Sequence, residues 1–196
     1  MSMNQNGSVF KRRKFLKYSL LGIGGLIGAS AVGTSVFLSN KYDKIYGKLL
    51  LFDGHLTDIL HAFCEVAMPE AKDGFPTHQE AEVVKRMDEE FFFANEHIQS
   101  DFKAVLYLLE AMPIANGYFS RFSRLSTEKR LVFLNEMQDT ENDLYRVAIA
   151  NIRVTTRMMY YGHPSTWKAI GYDGPFGGLP EVESEQRKYY KNLTTK

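Results

Sequence analysis

The sequence predicts an all-α protein, a bundle of about five helices followed by an irregular, aromatic, Gly/Pro-rich C-terminal segment. Three observations predict it. Apolar residues recur at i, i+3, i+4 and i+7 through most of the chain. No proline falls between Pro113 and Pro164. No stretch shows period-2 alternation bounded by turn residues, the pattern of a strand. Three regions follow: an apolar signal segment over 1–40, a helical domain over 41–161 and an irregular tail over 162–196.

The elements read in order. Asp53 is a good N-cap, and Leu56, Ile59, Leu60, Phe63, Cys64 and Ala67 form one apolar stripe behind it. Pro69 ends that helix, because its ring removes a helical N–H and disfavours helix at the preceding residue. After a loop with Gly74 and Pro76, Thr77-His78-Gln79-Glu80 reads as a capping box. The helix it opens runs to about Phe93, with Ala81, Val84, Met87 and Phe91 on one side. A third helix begins near Asn95 or Ser100, buries Phe102, Val105, Leu106, Leu109 and Met112, and stops at Asn116-Gly117. Ser126 caps a fourth, with Leu131, Leu134 and Met137 inward. The last long helix runs from about Glu141 to Tyr161 and closes on Gly162 and Pro164.

Charge is uneven along the chain. The net charge of +1 conceals five basic residues and no acidic ones among the first 17, leaving 19 basic against 23 acidic residues in the remainder. A mildly acidic body argues against a nucleic-acid partner, whose phosphates require clustered Lys and Arg. The single cysteine, Cys64, allows no internal disulfide. It also excludes C-x-x-C-H haem attachment and a cysteine-bound iron–sulfur cluster within the chain.

The amino terminus carries the clearest motif. Arg12-Arg13-x-Phe15-Leu16-Lys17 precedes an uncharged run from Tyr18 to Leu38. This is the pattern of a twin-arginine export signal, with Lys11 where Ser or Thr is more usual. Ala29 and Ala31 form a small-residue cleavage site that would leave an apolar core of about 11 residues. Counted to Leu38 the run is close to the ~20 residues that span a bilayer, so an uncleaved anchor is the other reading. Both place the body on the periplasmic side of a bacterial inner membrane.

Catalytic patterns are sparse. The five histidines show no metal-ligand spacing. His61-x-x-Cys64 supplies two ligands of four and reads as a satisfied histidine beside a buried thiol. Gly22-x-Gly24-Gly25 follows no strand, so it is no dinucleotide fingerprint. There is no G-x-S-x-G. Asp88-Glu89-Glu90 reads as a solvated face, and Met158-Met159 as core filling.

The segment 160–180 turns repeatedly at glycines and prolines, yet carries Tyr160, Tyr161, Trp167, Tyr172 and Phe176. Such anchors have to bury against the chain's own bundle, against another subunit, or divide between the two, with Trp167 inward and Gly174-Pro175-Phe176 outward. The partner-interface candidates are Tyr160, Tyr161, His163, Pro164, Trp167, Gly171, Tyr172, Gly174, Pro175 and Phe176.

Tyr161-Gly162-His163-Pro164-x-x-Trp167-x-x-Ile170-Gly171-Tyr172-x-Gly174-Pro175 resembles the C-terminal signature of the gluconate 2-dehydrogenase subunit 3 family. The likeness reaches weakly back to Leu56-x-x-Ile59 and Met68-Pro69, and the export signal is similar too. Ala71-Lys72-Asp73-Gly74 departs from the shorter turn expected after the proline. The resemblance implies a non-catalytic small subunit without a cofactor of its own. It further implies an FAD-containing large subunit of the glucose-methanol-choline type, a multihaem cytochrome c bearing haem c as a third subunit, and escort of the flavoprotein through the twin-arginine translocase. The rival reading is a self-sufficient periplasmic or membrane-anchored helical protein, a binding module or small enzyme using His61, Cys64 and Glu65.

Overall fold

A computed structural model describes residues 42–180 and 182–195. The export motif, the apolar run from Tyr18 to Leu38, and Ala29 and Ala31 lie outside the described residues. No helix among the described residues is long and apolar enough to cross a membrane.

The described body is helical and contains no strand. Its helices are α1 (Asp43–Tyr46), α2 (Gly54–Ala67), α3 (Val83–Phe92), α4 (Glu96–Ala115), α5 (Thr127–Glu136), α6 (Asp143–Tyr161), α7 (Pro164–Trp167) and α8 (Glu185–Thr195). Short 3-10 turns occupy Phe122–Arg124 and Lys168–Ile170.

Helix α2 is the centre of the bundle, packed against α1, α3, α4, α5 and the 122–124 turn. The side chain of Asp53 caps it by accepting from the Leu56 N–H at 2.8 Å. Nine consecutive residues from Leu56 to Cys64 are buried, so the helix is enclosed on all sides, where the sequence pattern indicated a single stripe. Its polar members survive burial because each has a partner. The Asp58 carboxylate accepts from the Tyr42 N–H at 2.7 Å. His61 Nδ1 shares a 2.6 Å hydrogen bond with the Tyr46 hydroxyl and stacks on the Tyr42 ring at 3.8 Å.

Two element boundaries differ from the sequence reading. The Thr77/Glu80 box forms, with Thr77 N–H donating to Glu80 Oε2 at 2.7 Å and Glu80 N–H to Thr77 Oγ1 at 3.1 Å. It opens only one turn, however, and the helix proper starts at Val83. Glu82 sits in the left-handed region, φ 50°. Around it Glu82 N–H bonds Gln79 O and Val83 N–H bonds His78 O, a Schellman stop that re-aims the chain before α3. At the other end, 162–196 is not wholly irregular. Ser184 caps α8 through the Arg187 N–H, and Glu185–Lys188 pairs at i, i+3 along it.

The inward faces also carry charge that the stripes did not reveal. In α5 the buried residues are Arg130, Phe133 and Leu134, while Leu131 faces solvent. Arg130 reaches Glu65 Oε2 at 2.5 Å and the carbonyls of Ala62 and Ser123, each at 3.4 Å. Glu110 of α4 accepts from the Ser123 N–H at 2.8 Å and hydroxyl at 2.6 Å, with Arg121 Nε 3.3 Å away.

Asp88 corrects the solvated-face reading outright. Its carboxylate is fully buried and accepts from the N–H groups of Leu50 at 2.7 Å, Leu51 at 3.0 Å and Phe52 at 2.7 Å. The Tyr190 hydroxyl of α8 donates a fourth bond at 2.5 Å. Four donors offset the desolvation of a buried carboxylate, which is why a charge can sit at this point of the core.

Candidate docking surface

The segment after α6 folds into a corner built by its own residues. Tyr160 is buried and donates its hydroxyl to the Pro76 carbonyl at 2.6 Å. Tyr161, half-buried, meets its ring edge-on at 5.1 Å. His163 caps α7: its Nδ1 accepts from the Ser165 N–H at 3.3 Å and shares a 2.7 Å hydrogen bond with the Ser165 hydroxyl. Burial, then the nearby Arg86 guanidinium, hold that imidazole below its usual range. Pro164 occupies the first helical position, where its missing N–H costs nothing.

The turn then closes on glycine. Gly171 adopts φ 68°, with its N–H bonded to the Lys168 carbonyl and the Tyr172 N–H to the Trp167 carbonyl. This second Schellman stop requires the left-handed conformation that glycine adopts without strain. Tyr172 lies edge-on to Trp167 at 5.3 Å. Gly174, at φ 109°, passes beneath the indole so closely that a Cβ there would lie 3.1 Å from the ring. Pro175 starts the following turn, accepting from the Gly178 N–H at 2.9 Å.

The corner therefore brings together Tyr160, Tyr161, His163, Pro164, Trp167, Gly171, Tyr172 and Gly174. Trp167 is half-buried, whereas Tyr172 is 45% exposed. Phe176 is fully exposed, beyond the reach of the corner, with Leu179 and Val182 exposed after it. Much of the signature-like pattern is thus accounted for by local geometry. What projects from it is a short aromatic and aliphatic run, Tyr172, Phe176 and Leu179.

Helix α6 presents a second exposed set that the sequence reading did not single out. Met158, expected in the core, is 65% exposed. Val147 and Val154 stand on the same outer side.

The residues of the rival reading are engaged elsewhere. His61 is held by Tyr46 and Tyr42, Glu65 by Arg130, and Cys64 has no exposed surface. Burial pushes the Cys64 thiol well above its usual range, the opposite of activation. Among the described residues no three His, Cys, Asp or Glu side chains converge as metal ligands. Open grooves indent the described residues, and two of them can be tested as sites. One, of about 360 Å³, includes Lys44, Phe52, Asp53 and Thr57, but its Asp53 carboxylate is committed to capping α2. The other, of about 290 Å³, lies between Tyr46–Leu49 and α8 and mixes both signs of charge, Arg86, Arg187 and Lys191 with Glu82 and Glu89.

No known family model, curated protein or solved structure matches this chain.

Proposed function

We propose that this chain is the non-catalytic small subunit of a heteromeric FAD-dependent dehydrogenase of the glucose-methanol-choline type, acting on a sugar or on gluconate. It stabilises the flavin subunit and carries it, already folded, through the twin-arginine translocase. The assembly works on the periplasmic face of the bacterial inner membrane, with a multihaem cytochrome c as a third member. FAD belongs to the large subunit, and no residue of this chain is assigned to hold it.

The observation that carries the reading is a pairing within one chain. Arg12-Arg13-x-Phe15-Leu16-Lys17 is the address of a route for folded proteins, and the body displays Tyr172 on a braced corner with Phe176 and Leu179 exposed just beyond it. Large exposed aromatics suit an interface, where they supply contact area. A permanent hetero-complex of this kind buries on the order of 2,000 Å² or more. The test replaces Arg12 and Arg13 by Lys together. Both this chain and the flavoprotein should then remain in the cytoplasm, as fractionation and dehydrogenase assay of the periplasmic face would read. A flavoprotein that still reaches the periplasm removes the escort role.

A further inference from the structure

Between Leu144 and Tyr161, helix α6 contains three arginines and no carboxylate. It buries Ala148, Ile149, Ile152, Thr156 and Tyr160 against α3 and α4. On the opposite side Val147, Val154 and Met158 recur at i, i+7 and i+11, and they are 55%, 59% and 65% exposed. Single exposed apolar side chains are ordinary on a protein surface. Three in register form a second apolar stripe, and helices carry such a stripe where something covers it.

The charge beside the stripe is also incomplete. Arg153 and Arg157 lie four residues apart on the helix, where like charges repel by a few tenths of a kcal/mol. The half-buried Arg153 guanidinium is held below its usual range by burial and then by Arg157, its only charged neighbour among the described residues. Arg146, by contrast, pairs with Asp143. An arginine that is partly desolvated beside another arginine is disfavoured in the isolated chain. A carboxylate brought in from outside relieves that cost.

We propose that the outer face of α6 docks an acidic surface of a partner protein. An apolar ridge of the partner covers Val147, Val154 and Met158, and its carboxylates meet Arg153 and Arg157. This rests on the subunit reading above, so the partner is the flavoprotein. A second copy of this chain is disfavoured, because two-fold packing of the face on itself sets arginine against arginine. Anionic lipid is disfavoured too, since polybasic lipid sites use about four to eight basic residues and this face offers three, of which Arg146 is already paired with Asp143. Helix α6 runs directly into the corner at 160–176, so the two exposed sets lie on consecutive stretches of chain.

The test recovers the tagged full-length chain from membranes of its native host and measures the FAD-containing protein that accompanies it. Val154→Asp, and separately Arg153→Glu with Arg157→Glu, should each lower recovered flavin at least tenfold, with thermal melting of the chain unchanged. A photo-crosslinking residue at Val154, in an otherwise natural chain, should attach to the FAD-containing protein even if a charged variant misfolds. Full flavin recovery with both variants, or no crosslink from position 154, overturns the face while leaving the subunit reading intact. A natural chain that brings no flavoprotein removes both. Loss of binding to phosphatidylglycerol vesicles in the variants, with flavin recovery unchanged, assigns the face to lipid and overturns the proposal.

Discussion

Acidification should weaken the fold in part through one imidazole, His78. The ring is 8% exposed, lies edge-on to His61 at 4.8 Å, and its Nδ1 has no hydrogen-bond partner. Burial pushes its pKa down to about 4 from the ordinary 6.5, against a smaller opposing pull from the Glu65 carboxylate. Above pH 6.5 the ring is neutral in both folded and unfolded chains and has no effect on stability. Between 6.5 and about 4 the unfolded chain takes up a proton that the folded chain refuses, so stability falls with pH. Below about 4 both states are protonated and the loss stops growing. At about 1.4 kcal/mol per tenfold change in proton concentration, the full interval corresponds to about 3 kcal/mol. That is a large share of the 5–15 kcal/mol typical of a domain. Urea unfolding of the natural body and of His78→Phe, at pH 7 and pH 4.5, isolates the contribution from the carboxylates that also titrate. The natural chain should lose about 2 to 3 kcal/mol more than the variant over that interval. Parallel losses, or an NMR titration that places His78 near 6.5, would refute the reasoning.

Two further outcomes follow from buried contacts. Glu110→Ala removes the acceptor for both Ser123 donors and the carboxylate beside Arg121, and should cost about 3 to 5 kcal/mol; a loss of unfolding free energy below about 1 kcal/mol in urea denaturation would count against a central role for that cluster. Gly174→Ala must place a methyl 3.1 Å from the indole at φ 109°, which exceeds the usual cost of alanine at a positive-φ glycine, about 1 kcal/mol. Because Trp167 is the only tryptophan, its emission should shift in that variant, and an unchanged spectrum and melting temperature would show that the corner yields easily.

Much of the helical frame was legible in the sequence because its signals are local. Asp53, Asn95 and Ser126 all cap the helices they precede, and Asn116-Gly117 stops α4 as its residue types require. The misses share one physical origin, a partner distant in sequence. Asp88 reads as one of three solvated acids until Leu50, Leu51 and Phe52 fold onto it. Arg130 was absent from the inward set read for α5, because Glu65, its partner, lies far away in sequence. The inward set is Arg130, Phe133, Leu134 and Met137, which keeps the helical period, and Leu131, read as inward, faces solvent. The one-turn start of α3 was hidden for another reason. Glutamate seldom adopts the left-handed conformation that Glu82 takes, so nothing in its residue type marked the stop. In 160–180 the aromatic content was visible, but of the Gly174-Pro175-Phe176 end offered as outward only Phe176 is exposed, while Gly174 packs beneath the Trp167 indole and Pro175 is half-buried. The outer stripe of α6 was not singled out, because the burial of a helix with two apolar faces depends on which neighbours arrive.

The carboxylate of Asp88 joins the two ends of the body at one point. Residues 50–52, ahead of α2, hang on it by three backbone amides, and α8 hangs on it by one phenol. Clipping the last dozen residues would therefore slacken the opening stretch as well, some 140 positions away in sequence. In this way the seating of residues 50–52 and the docking of α8 share one acceptor, and each is felt by the other.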